Sequence, residues 1–295
     1  MLEHLRLDGH GRSPIRGRQA AFNAASRDQW DGFSAHRRKV SALLGAGASP
    51  RPTRLCVLGA GNCNDLDLPA LLDAHREVHL VDLDAEALDR GVTRQGVINH
   101  PSLRRHGGVD LTGCLDAIAT WSPLTPIGPA DLAALSDWPA DRVGKALPGP
   151  FDRVASTCLL TQLIDTASHS LGDGHSQFGA VIRAIRSGHL RLLARLASSQ
   201  SEAVLVNDVV SSDTFPTLSS VPEPDLPDLL IRLANAGNFI QGAHPKALIT
   251  ALRADPALCS KVTSLESTPP WLWRLHARHY LVWALTFRMG VRLGR

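Results

Sequence analysis

Residues 54–72 read RLCVLGAGNCNDLDLPALL: an apolar run without alternation, a turn holding Gly59 and Gly61, then a helical pattern. An unbroken apolar run is what a strand covered on both faces requires. Glycines in the following turn carry no Cβ, so the backbone there can approach a ligand closely. The stretch predicts the first strand–helix unit of a parallel sheet, with Asn64 or Asp65 capping a helix over residues 66–75.

Working outward, the alternation repeats. EVHLVDLD (77–84) is a second strand ending in Asp82, AEALDRGVTRQGV (85–97) a second helix, and GGVDLTG (107–113) a short third strand ending near Asp110 and Leu111. FDRVASTCLLTQLI (151–164) reads as the fourth strand and its exit. In residues 176–199 Phe178, Val181, Ile182, Ile185, Leu192, Leu193 and Leu196 form one helical stripe, and EAVLVNDVVSS (202–212) is a fifth strand. Residues 18–44 space Phe22, Trp30, Phe33, Val40 and Leu44 as a leading helical segment. Residues 121–150 carry six of the nineteen prolines and read as a surface connection, as does the proline-rich stretch 213–227. Helices are expected over 228–236 and 244–255, and HYLVWALTF (279–287) as an edge or hairpin strand. The sum is an α/β fold, a doubly wound and mostly parallel sheet with a terminal antiparallel strand pair. Residues 1–50 form a helical cap, and 51–295 the α/β domain.

Composition narrows the function classes. With 295 residues, 44% of them hydrophobic and 20% charged, the chain buries a sizeable core. No segment approaches the ~20 apolar residues of a membrane helix, and charges or glycines break each apolar run in the first residues, so a soluble cytoplasmic protein is expected. The five cysteines are scattered and form no Cys-x-x-Cys, which argues for reduced thiols and against a zinc site. Residues 1–40 hold eight basic groups, Arg6, Arg12, Arg16, Arg18, Arg27, Arg37, Arg38 and Lys39, against four acids, a basic arm of the kind that either contacts nucleic acid or forms a solvated helix face.

A dinucleotide turn would want G-x-G-x-x-G, and here the third place is Asn64. VLGAGNCNDLDL, VHLVDLDAEAL, VDLTG and FDRVASTCLLTQLI, in that order, instead resemble the motifs of class I S-adenosylmethionine-dependent methyltransferases, whose fold is Rossmann-like. The resemblance covers residues 50–212 and, more loosely, the final strands. It implies that Gly59, Ala60, Gly61 and Asn62 lie against the methionine part of the cofactor. Asp82 would bind the ribose hydroxyls with Leu83 beside the adenine, Asp110 and Leu111 would meet the adenine, and Ser156, Thr157 and Cys158 would line the transfer site. Val57 stands where the family often has an acid, and STCLLTQ lacks the motif by which the family recognises base amino groups.

The expected activity is methyl transfer from S-adenosylmethionine to a small-molecule acceptor. Alternatives are an RNA methyltransferase guided by the basic arm, an NAD-dependent oxidoreductase, and a catalytically silent cofactor-binding partner subunit. Transfer from a sulfonium needs chiefly an aligned nucleophile. If the acceptor must lose a proton, His169, His175 and Asp208, after strand ends, are the candidate bases. The pair His276 and His279 lacks an acidic or cysteine partner nearby, so no metal is expected. Trp271, Trp273 and Trp283 read as core or edge packing.

Overall fold

A computed structural model describes residues 14–45, 53–275 and 278–290. The chain opens with α1 (Pro14–Ser26), a 3-10 turn and α2 (Ser34–Gly45). Then come β1 (Arg54–Leu58), α3 (Leu68–Ala74), β2 (Glu77–Asp82), α4 (Ala85–Arg94), β3 (Leu103–Gly107) and α5 (Leu115–Ile118). Next are α6 (Pro129–Trp138), a π turn, α7 (Gly144–Ala146), β4 (Phe151–Thr157), α8 (Leu160–Leu171), α9 (Phe178–Leu196) and β5 (Ala197–Ser211). The chain continues through α10 (Leu226–Asn235), α11 (Pro245–Ala254), β6 (Val262–Ser267), β7 (Trp271–Leu275) and β8 (Arg278–Met289).

The strands form one sheet in the order β3-β2-β1-β4-β5-β8-β6, with β7 also on β8. β1 to β5 pair in parallel and β8 runs antiparallel to its neighbours. Both faces are covered. Cys56 and Leu58 of β1 join one core with α8 and α9, while Leu55 and Val57 join another with α2, α3 and α4. Neighbouring residues of the same strand thus serve opposite cores, which is why the strand reads as an unbroken apolar run. The strand order reverses between β1 and β4, where a doubly wound sheet opens a crevice at its carboxyl ends.

The expected fold class is the observed one, with local corrections. The third strand is Leu103–Gly107, not 107–113; as an edge strand it tolerates the exposed Arg104 and Arg105, and Gly108, at φ +76°, begins a turn. The terminal antiparallel pair is three strands. β8 is interior rather than edge, with β6 and β7 sharing its outer side, and its continuous apolar run is the same signal that marks β1 as buried. The cap of α3 is Asp67, which accepts the Ala70 N–H at 3.2 Å, rather than Asn64 or Asp65. Residues 121–150 are largely helical: Pro129 occupies the first turn of α6, where its missing N–H costs nothing, and Leu135 is buried against α9. The stretch expected as the exit of the fourth strand is the start of α8, which continues to Leu171. Val40 and Leu44 of α2 are core residues at 0% exposure, so α2 packs into the α/β body, while α1 lies over the crevice and Phe33 and His36 line it from the side.

Among the described residues no helix is long and apolar enough to cross a membrane, and no group of His, Cys, Asp and Glu is arranged to hold a metal. His276 lies outside the described residues.

The α6–α9 contact has a sharp test. A Cβ on Gly188 of α9 would overlap the Leu135 carbonyl oxygen and sit 3.0 Å from Pro139. Gly188→Ala is expected to lose about 1–3 kcal/mol in chemical denaturation. Gly179→Ala, whose Cβ would meet only the tip of Arg183 at 3.5 Å, should gain a few tenths. A stabilised Gly188→Ala would contradict the packing.

Candidate functional site

The quoted turn folds back on β2. Gly59 and Ala60 donate their N–H groups to the Val81 carbonyl at 2.9 and 3.2 Å, and Gly61 donates to Asp82 Oδ2 at 2.8 Å. Gly59 and Gly61 have φ of +76° and +47°, a region L side chains disfavour. A Cβ on Gly59 would also press on Leu159 at 2.9 Å, and one on Gly61 would overlap the Asn23 amide oxygen. Both glycines are therefore required by backbone conformation and close approach together.

Asp82 is 9% exposed, and its Oδ1 accepts the Asp84 N–H at 2.8 Å. Burial raises its carboxyl above the usual range, and the two backbone N–H groups oppose that rise. Asp84 holds the helix-capping role, accepting the Ala87 N–H at 3.0 Å. That division leaves Asp82 at the strand end for another partner. Asn23 of α1 supplies a weak one: its Nδ2 lies 3.4 Å from both Asp82 Oδ1 and Asp84 Oδ2.

α1 is strapped across the crevice by polar contacts. Asn62 donates to Asn23 O at 2.6 Å, and Asn64 donates to Ser26 O at 2.7 Å while its Oδ1 accepts from Arg94. On the far side Arg18 grips Asp165 through Nε and Nη2 at 2.9 and 3.0 Å, and Arg16 meets Asp116 at 3.1 Å. The strap divides the crevice. On the β2 side remains a pocket of about 20 Å³ lined by Asp82, Leu83, Val109, Leu111 and Leu163. On the β4 side lies a cavity of about 490 Å³.

Gly59, Ala60, Gly61, Asn62, Thr157 and Cys158 line this larger cavity. Leu83 and Leu111 join Asp82 in the smaller pocket. Two expected residues stand apart. Ser156 is fully buried and bonded to His189 Nε2 at 2.8 Å, below the cavity. The Asp110 carboxylate accepts from Thr112 N, Thr112 Oγ1 and Leu115 N, holding the turn into α5, and lines neither pocket.

Of the three candidate bases only Asp208 reaches the cavity, because α8 carries the chain away from the strand ends. His169 lies exposed near the end of α8, and His175 bonds the Thr125 carbonyl at 3.0 Å beside a separate surface pocket. Asp208 accepts from Thr161 Oγ1 at 2.8 Å, and burial pushes its carboxyl up to about 6. Asp65, which the sequence offered only as a helix cap, also lines the cavity with its carboxyl raised to about 6 by burial. Cys158 is a strained residue at φ +48° whose thiol burial raises well above the usual range, so it stays protonated.

Aromatic residues close the other wall. Trp273 stacks on His36 with ring centroids 4.5 Å apart and packs on Tyr280 at 5.1 Å. The Trp271 indole donates to His36 Nδ1 at 3.2 Å, so the His36 proton sits on Nε2, and burial lowers its pKa to about 3. His36 is neutral and too weak a base to accept a proton. Trp271 and Trp283 are core residues as expected, each at 4% exposure, whereas Trp273 lines the cavity.

No protein-family model matches the chain, and no curated protein does. Solved structures of similar fold include the N-methyltransferase NodS from Bradyrhizobium japonicum WM9 in complex with S-adenosyl-L-homocysteine. It is 10% identical with a TM-score of 0.46, over 93% of this chain and 98% of that one. Another is magnesium protoporphyrin IX methyltransferase from Synechocystis PCC 6803 with bound S-adenosylmethionine, 13% identical with a TM-score of 0.42, over 95% and 88%. YcgJ from Bacillus subtilis is 13% identical with a TM-score of 0.42, over 86% and 99%. At such identities and scores the fold rests on the sheet order described above, and the chemistry of the site on this chain's own residues.

Proposed function

We propose that the chain is an S-adenosylmethionine-dependent methyltransferase acting on a small-molecule acceptor in the 490 Å³ cavity, with Asp208 as general base. The observation that carries the reading is the coupling of Asp82 to the glycine turn through the Gly61 N–H at 2.8 Å, beside a cavity that holds a buried carboxyl. S-adenosylmethionine would supply an electrophilic methyl group on its sulfonium. Asp82 would accept from ribose hydroxyls, Leu83 and Leu111 would flank the adenine, and Gly59 to Asn62 would lie along the methionine chain. The residues fit that group with α1 withdrawn, since the pocket of about 20 Å³ at Asp82 is too small for a nucleoside.

Thr161 holds Asp208 Oδ1, and the carboxylate would take the acceptor's proton while the methyl group passes from sulfur to the acceptor, leaving the neutral thioether. The aromatic wall of Phe33, Trp273 and Tyr280 would favour a planar acceptor. Arg16, Arg18 and Arg37 of the basic arm are engaged within the protein, Arg37 over the Trp30 ring at 3.5 Å. That supports a small molecule over RNA, and Asn64 at the third-glycine place weighs against NAD. The free cysteines, four of them buried, suit action in the cytoplasm.

S-adenosylhomocysteine should bind the wild type in calorimetry and NAD should not; the reverse result would sink the proposal. Asp82→Ala is expected to weaken S-adenosylhomocysteine by about 1.5 to 3 kcal/mol, or roughly 10- to 150-fold. Asp84→Ala should lose about 1 kcal/mol of stability as a lost cap and keep most of the affinity.

Asn23→Ala removes the competitor at Asp82. Stopped-flow measurement should show S-adenosylhomocysteine associating about 2- to 10-fold faster, as expected for two weak hydrogen bonds.

Asp208 acts as a base only when ionised, and its carboxyl titrates at about 6. With an accepted acceptor, product formation should rise with pH through about 6 and level off above. Asp208→Asn should lower kcat by about 10²- to 10⁴-fold with cofactor affinity unchanged. A rate indifferent to pH across that range would remove Asp208 from the role.

A further inference from the structure

A second cleft, of about 620 Å³, lies between α9 and α11, outside the methyl-transfer cavity. Its lining includes Arg183, Arg186 and Ser187 from α9 with His244, Lys246 and Thr250 from the start of α11. We propose that this cleft binds a phosphate-bearing small molecule.

The argument rests on what the lining groups have left to offer. The one acid, Asp255, is spent: Oδ2 accepts from Arg191 Nε at 2.9 Å and Oδ1 from Ala257 N at 2.8 Å. His244 Nδ1 accepts the Lys246 N–H at 3.1 Å, so the proton of the neutral ring is on Nε2, and the charged ring carries one there too. Either form is a donor at Nε2. The Ala247 N–H is taken by the His244 carbonyl at 3.0 Å, so the site does not depend on the free end of the helix. Among the described residues no hydrogen bond or ion pair engages the side chains of Arg183, Arg186 or Lys246, and Arg186 Nε is both buried and unpartnered. Apart from the two hydroxyls, every polar side-chain group left free on the cleft is a donor, and three are full cations.

Such a set is costly without a counterion. Arg183 and Arg186 sit three apart on one helix, where like charges repel, and Arg186 is half-buried. Burial first, and Arg183 second, work against its charge. Elsewhere on α9 the protein answers the same problem with acids, since Arg191 meets both Asp137 and Asp255. At Arg183 and Arg186 it supplies none. Two guanidiniums with a lysine match a dianion better than a monocarboxylate, and guanidinium forks fit phosphate oxygens in pairs. The cleft has room for an organic body beyond one tetrahedral anion. It is also close to the main cavity in the chain: Ile240 lines the cavity and His244, four residues on, lines the cleft.

Inorganic pyrophosphate is a suitable probe, read against acetate at matched ionic strength so that general screening is cancelled. Calorimetry on the full chain should show saturable pyrophosphate binding and none of acetate, together with a rise in melting temperature. Arg186→Gln and Lys246→Gln should each weaken binding at least about tenfold. Arg253→Gln, an exposed cation of α11 off the cleft, should leave it unchanged. Lys246 is exposed, so its variant remains informative even if Arg186→Gln folds poorly. Pyrophosphate performing no better than acetate, or binding the Lys246→Gln protein as tightly as the wild type, would overturn the proposal. The measurement contains no S-adenosyl compound, so it stands or falls apart from the methyltransferase reading.

Discussion

One carboxylate ties the working end of the sheet together. Asp82 accepts the Gly61 N–H from the β1 turn and the Asp84 N–H from the entry to α4, joining two strand–helix crossovers at the point where both meet the crevice. The bond to Gly61 requires the turn to fold back over β2, which needs positive φ at Gly59 and Gly61 and a bare Cα beneath Leu159 and Asn23. Removing the carboxyl group would leave the two buried N–H donors without acceptors, a cost comparable to that of losing a helix cap. The position of the glycine turn and the opening of α4 both depend on that one group.

α1 shows how a segment of weak intrinsic amphipathicity is nonetheless held. Of its described residues only Ile15 is buried. It is fixed by polar groups at its two sides, Asn62 and Asn64 from the glycine turn and Asp165 and Thr166 from α8. Half-exposed ion pairs of this kind contribute little each, so the helix is attached by many weak contacts and no deep apolar anchor. Segments held this way sit at the low end of local stability, where lids and gates are found. The same residues that cover the crevice are therefore the cheapest to displace.

The sequence made the parallel core legible because burial on both faces suppresses strict alternation: the apolar run at 55–58 is unbroken and followed by glycines, and 77–82 and 151–157 keep adjacent apolar residues at their centres, Leu80 with Val81 and Val154 with Ala155. It also marked Asp82, since Asp84 could take the cap. What it concealed were facts about which face a residue points to. His169 looked close to a strand end until α8 intervened, and Asp110 looked like a ligand until its two oxygens closed on the next turn. Asp65 reaches the cavity with the glycine turn it follows, and Trp273 does so by stacking on His36 across more than two hundred positions. Nothing in local spacing encodes such a meeting. For β8 the signal was present, because its apolar run has the same character as β1.

The cavity's own electrostatics limit what can fill it. Asp65 and Asp208 both titrate near 6, so near neutral pH two carboxylates face an apolar, partly aromatic space, with Arg37 and Arg278 acting on them only through Coulomb attraction. His36 is neutral and the Tyr280 hydroxyl is raised to about 12, so neither supplies a compensating charge. Water can solvate the carboxylates while the cavity is open. An occupant that displaces that water with apolar surface alone would bury unpaired charge, which costs far more than the contact returns. One that brings an O–H or N–H to Asp208 keeps the carboxylate satisfied and, under the proposed function, sets its proton against the proposed base. On the proposed reading, the group that satisfies the carboxylate is also the group that reacts, and burial of the carboxyl favours a protic acceptor.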